Sequence, residues 1–125
     1  MRFARWVFNF AGIYGLIALL PQYFLETRIG QNTPPPITHP EYFYGFAGVG
    51  IAWQIVFLII GSDPERFRPL MLAALVEKFP FVISSLWLIA KGRTATSFAV
   101  PVAIDFVLGV LFVISFFKTG KEQRA

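Results

Sequence analysis

Four runs of apolar residues, separated by polar segments, dominate the chain: Phe3–Phe24, Tyr42–Gly61, Leu70–Ala90 and Thr96–Phe117. Each comes close to the ~20 residues that an α-helix needs to cross ~30 Å of hydrocarbon. None shows the period-two alternation of a membrane β-strand. In lipid every backbone N–H and C=O must be satisfied within the segment, so the runs predict helices. The pattern therefore predicts an all-α fold. It is a polytopic membrane protein with a single domain over residues 1–125, built as a four-transmembrane-helix bundle.

The segments between the runs differ in kind. Leu25–Pro40 is long and carries Pro34-Pro35-Pro36, which predicts an extended polyproline stretch. Ser62–Pro69 is short and charged. Within it, Ser62-Asp63-Pro64-Glu65 reads as a helix start, with Ser or Asp as cap and proline in the first turn. Lys91–Thr94 predicts a tight turn around Gly92. Arg2 and Arg5 look like the basic start of a signal peptide. The apolar run continues past Leu20 without a small-residue cleavage site, so span one is expected to be an uncleaved helix.

Composition agrees with the pattern. Of 125 residues, 56% are hydrophobic, 18% are aromatic and only 14% are charged. Soluble domains usually carry about 25% charged residues. The absence of cysteine excludes disulfides, thiolate catalysis, iron–sulfur ligation and cysteine-based zinc sites. The net charge of +4 fits contact with anionic lipid. No basic stripe interleaved with aromatics points to a nucleic-acid partner; membrane lipids are the expected partners.

Lysine and arginine placement predicts orientation. Arg2 and Arg5 flank the start of span one, Arg66 and Arg68 lie between spans two and three, and Lys118, Lys121 and Arg124 follow span four. They outnumber Arg28, Lys91 and Arg93 on the other side, which predicts both termini cytoplasmic and the proline-rich loop outside. The expected location is the bacterial cytoplasmic (inner) membrane. Small residues four apart, Ala11 and Gly15, Gly48 and Ala52, and Gly109 four after Asp105, predict close helix packing. That packing is expected within the bundle, with a homo-oligomer face as the alternative.

The candidate chemistry lies in the spans. Glu77 and Lys78 sit mid-way along span three, and Asp105 lies in span four. A charge at a helix centre costs roughly 2.5–3.5 kcal/mol on insertion scales, so such residues are expected to pair or to function. Gln54 on span two and Asn9 on span one complete a polar set in which each helix contributes to the inner half or centre of the membrane. Neighbours on a helix project about 100° apart, so Glu77 and Lys78 are not expected to pair with each other. Lys78 is expected to meet Asp105, leaving Glu77 to face Gln54 or Asn9. Pro80 and Pro101 each remove a backbone donor and predict kinks beside the charges. One histidine, His39, beside Glu41 in a loop, does not make a metal site. Phosphate loops, H-E-x-x-H and nucleophile elbows are absent. A non-catalytic role is expected, and nothing names a cofactor.

Pro21 near the end of span one, Arg68-Pro69 opening span three and Glu77 within it carry a resemblance. The layout resembles small bacterial four-span proteins of the DoxX-like kind. In outline it is similar to the EXPERA group of emopamil-binding-protein-like proteins. The resemblance covers nearly the whole chain as architecture and implies buried acids facing an internal cavity for a sterol-like or other amphiphilic molecule. Isomerases of that group use a buried histidine, whereas His39 lies in a loop. The length also resembles small multidrug transporters, whose essential Glu lies in the first span, where this chain has Asn9. Three functions follow as expectations. The first is binding of a lipid-like, sterol-like or quinone-like small molecule by Glu77, Lys78, Asp105, Gln54 and Asn9. The second is an accessory subunit bound to a membrane-protein partner. The third, a minor one, is a small proton-coupled transporter.

Overall fold

A computed structural model describes residues 2–33 and 35–124, with the backbone alone for Arg124. The described residues form α1 (Arg2–Leu19), α2 (Glu26–Asn32), α3 (Pro40–Ser62), α4 (Leu70–Ala90) and α5 (Ala99–Arg124), with no strand. Four helices are long and apolar enough to span a membrane: α1 with its continuation to Phe24, α3, α4 and α5 with the turn before it. The protein is an all-α four-helix bundle, and four crossings bring both ends of the chain to the same end of it. That end is called the terminal end below, and the opposite end the loop end.

Backbone chemistry sets most of the boundaries. Span one is α-helical to Leu19 and then tightens into a 3₁₀ turn over Leu20–Phe24. Pro21 has no N–H to return to the carbonyl four residues back, which favours the tighter winding. Span three has the predicted limits. It runs through Pro80 without a break.

Two expectations need correction, at Pro101 and at Ser62–Glu65, and one helix was not expected: the loop Leu25–Pro40 contains α2, with Glu26 in its first turn, where a carboxylate complements the helix dipole. Pro35 and Pro36 lie outside any helix, and Pro34 lies outside the described residues. Pro101 does not interrupt a helix. Thr96–Phe98 forms a 3₁₀ turn and α5 begins at Ala99, so Pro101 occupies the first turn, where its missing N–H costs nothing. The helix start at Ser62–Glu65 makes a separate single turn. The Arg66 N–H donates to Asp63 Oδ1 (3.3 Å) and the Phe67 N–H to the Asp63 carbonyl (3.1 Å). Pro69 then has no N–H to offer the Glu65 carbonyl. Gln123 Nε2 donates to that carbonyl instead, at 2.6 Å. This contact belongs to a part of α5 that continues well beyond the expected end at Phe117.

α1 lies between α3 and α5 and packs on both; α4 packs on α5. The remaining seam, between α3 and α4, is thin. The tight core sits in the terminal half. Phe8 of α1 stacks on Phe112 of α5 (centroids 4.3 Å apart), and Phe57 of α3 meets Phe112 edge-on at 5.0 Å. All three rings are fully buried, with Met71 and Ala74 of α4 beside them. Side chains also close the terminal end against backbone. Arg5 Nη1 donates to the Ser62 carbonyl at 2.8 Å, near the end of α3. Arg68 Nε donates to the Phe116 carbonyl (2.9 Å), with its guanidinium 3.8 Å from the Phe116 ring centroid.

Candidate functional site

At mid-bundle, where the phenylalanine core ends, three charged side chains meet. Lys78 leaves α4 toward the interior, and its side chain is only 5% exposed. Its Nζ donates to Asp105 Oδ1 across the α4–α5 contact at 3.0 Å. It also lies 3.5 Å from Glu77 Oε2 and 5.3 Å from the centroid of the Phe57 ring. The expectation that Glu77 and Lys78 stay apart is therefore corrected. Their Cβ directions do diverge, but four methylenes let the ammonium reach a point between the two carboxylates. One cation is shared by two anions.

Gln54 of α3 reaches the same level and is almost fully buried. Its Nε2 donates to the Gly50 carbonyl one turn back on its own helix, at 2.8 Å. Its Oε1 has no hydrogen-bond partner. The amide lies across Gly15 of α1, in the space that a Cβ there would fill. The small residue read from sequence as a helix-packing position therefore also houses a polar side chain.

Asn9 lies elsewhere. It packs against Gly61 toward the terminal end. It does not join the other four, and six residues of α1 separate it from Gly15, about 9 Å along the axis. A polar residue in each helix does not by itself bring the set together.

Two neighbouring lobes of empty space adjoin the cluster on its loop-end side. The outer lobe, about 420 Å³, lies in the α3–α4 seam between Phe46, Val49 and Trp53 on one side and Glu77 and Phe81 on the other, with Asp105 also on its wall. The inner lobe, about 140 Å³, reaches Gln54, Lys78 and Asp105 and rises past Tyr14 and Pro101 toward Gln22. Both share Phe46, Gly50, Glu77, Phe81 and Asp105. The mouth opens sideways. A Cβ on Gly45 would meet nothing within 4 Å, and Phe46 and Val49 are 52% and 63% exposed. Phe46 stacks on Phe81 across the seam (6.4 Å), and Phe81 meets Phe98 edge-on (6.0 Å), so aromatic rings line the loop-end side.

Sequence reasoning missed Trp53 and Tyr14 as wall residues, whereas Phe81 follows Glu77 by one helical turn and shares its face. Phe46 belongs to the aromatic run Tyr42-Phe43-Tyr44-Gly45-Phe46 at the start of α3, but Tyr44 in that run stacks on Tyr23 and does not line the cavity. No signal separates such rings from ordinary lipid-facing aromatics. His39 pairs with Glu41 at 3.2 Å on an exposed surface remote from the cluster.

Nothing among protein-family models, characterised proteins or solved structures matches this chain. The chemistry open to the site thus follows from its own geometry: an apolar, aromatic-walled cleft ending on a charged, acceptor-rich floor.

Proposed function

We propose that this protein binds the polar end of a lipid-like, sterol-like or quinone-like small molecule inside the membrane. Glu77, Lys78, Asp105 and Gln54 form the anchoring floor, and Asn9 takes no part. One observation carries the reading: the ion-paired trio and Gln54 do not form a closed set but border a cavity. If they served only to hold helix register, the lowest-energy arrangement would be a dry, fully paired set. Instead Gln54 Oε1 is buried without a partner, and the adjoining space falls in the size range of small-molecule sites. The lysine and arginine bias supports cytoplasmic termini in a bacterial inner membrane, with the cleft opening toward the outer leaflet.

Native mass spectrometry after gentle extraction tests the reading. A bound small-molecule mass is expected on the wild type and is expected to be lost in Glu77→Gln, with the apo fold retained by circular dichroism. A protein retained in place of a small molecule, together with unfolding of Glu77→Gln, supports the accessory-subunit alternative and removes the binding one.

A further inference from the structure

The floor of the cleft has an asymmetry of hydrogen-bonding sign. Its donors are spent. Lys78 Nζ gives one hydrogen bond to Asp105 Oδ1, sits beside Glu77, and turns its remaining side to the Phe57 ring. Gln54 Nε2 is spent on the Gly50 carbonyl. Its acceptors are not spent. Gln54 Oε1 is buried without a partner, and Glu77 Oε2, though ion-paired to Lys78 Nζ at 3.5 Å, receives no hydrogen bond. Two carboxylates to one ammonium also leave the floor short of positive charge. Tyr14 lies farther up the wall of the inner lobe, which Asp105 also lines.

A buried acceptor left unmade costs about 1–3 kcal/mol, and a group that donates to it recovers that cost. A head group that only accepts recovers nothing, and an anionic one adds repulsion from the carboxylates. The sideways mouth between α3 and α4 adds a second condition. A chain attached to the head has an apolar way out through the seam lined by Phe46, Val49 and Trp53, into lipid.

We propose that the cleft takes a membrane-dissolved amphiphile whose polar end donates hydrogen bonds, a hydroxyl or an ammonium, seated on Gln54 Oε1 and Glu77 with its chain leaving through the α3–α4 seam. This rests on the binding reading above and narrows it. Alcohols, amines and the reduced, hydroxyl-bearing form of a quinone fit; quinone carbonyls, fatty-acid carboxylates and phosphate monoesters do not.

Trp53 on the cleft wall supplies the reporter. The chain has three tryptophans, and the other two, Trp6 and Trp87, are exposed, so Trp6→Phe with Trp87→Phe leaves Trp53 alone. In phosphatidylcholine nanodiscs this variant is titrated with four terminally brominated amphiphiles of one chain length: a primary alcohol, a primary amine, a methyl ether and a sulfonate. Saturable quenching of Trp53 by the alcohol, the amine or both is expected. The alcohol is expected to act at about one-tenth the mole fraction of the ether, the factor a single recovered hydrogen bond is worth. Gln54→Leu in the same background should bring the donor heads to the ether's level. The hydroxyl and ammonium sources separate by which of the two saturates first. Equal quenching by ether or sulfonate overturns the proposal while leaving the cleft a binding site. So does donor-head binding that Gln54→Leu leaves unchanged. Absence of saturable quenching by all four removes the binding reading itself. The four-ligand comparison needs no change at Gln54, so it stands even if Gln54→Leu does not fold.

Discussion

The two halves of the bundle solve the same problem in opposite ways. In the terminal half, three interlocked phenylalanines fill the centre, and arginine and glutamine side chains bond carbonyls on neighbouring elements. In the loop half, α3 and α4 stand apart, Gly45 faces open space, Gly15 faces a polar side chain, and Gln54 Oε1 lacks a partner beside the cavity. The charged trio marks the border. The contrast teaches that the cavity is not a looseness of the whole fold: one end is sealed well enough to let the other stay open.

The largest effects should come from breaking the sealed half. Phe57→Ala removes a ring shared by Phe8, Phe112 and Lys78, and is expected to destabilise by about 4 kcal/mol in denaturant titrations in detergent. Phe46→Ala, on the open seam, should cost less than about 1 kcal/mol. Equal losses would mean that the seam is as tightly packed as the core.

Next comes the border. Lys78→Met leaves two carboxylates facing each other without their cation, and is expected to cost about 3 kcal/mol by the same titration. Adding Glu77→Gln and Asp105→Asn to that variant should restore most of the loss. If it does not, the stem of Lys78 matters more than its charge.

Glycine substitutions sharpen the comparison at smaller amplitude and with opposite sign. A Cβ on Gly61 would run into the Asn9 side chain and come within 3.1 Å of its backbone nitrogen. Gly61→Ala is thus expected to destabilise by about 2 kcal/mol, an overpacking cost. Gly45→Ala meets nothing and should gain up to about 1 kcal/mol from helix propensity. A loss at Gly45 would show that the mouth closes in the membrane. Arg5→Gln weakens one exposed contact to the Ser62 carbonyl and should cost about 0.5 kcal/mol, read as a slightly lower thermal midpoint.

Much of the site was legible before any coordinates. A carboxylate or ammonium in a span must turn away from lipid, so Glu77, Lys78 and Asp105 had to face inward, and Gln54 shared a face with small residues. Asn9 could not be sorted the same way. An amide is cheap enough to be satisfied locally, and its depth said nothing of the glycine it would meet. The sharing of Lys78 by both acids was hidden for a different reason: adjacent residues diverge at Cβ, and only the path of a long side chain decides where its charge ends. α2 was masked by the prolines that follow it, and the role of Pro101 turned on a start point three residues later than hydropathy suggests.

The number of crossings, their lengths and the shared end of both termini follow from sequence alone, because insertion into lipid is decided by apolar length and by the cost of unpaired backbone groups. The limits of α4 could be read to the residue for the same reason. Which seam would open could not be read. α3 and α5 are apolar nearly all round, so no face announces its neighbour. Between helices in lipid there is little hydrophobic force to choose one, since acyl chains are as apolar as leucine. Shape decides instead. Gly15 admits Gln54, the phenylalanines interlock at one end, and α3 and α4 are left apart over the charged floor.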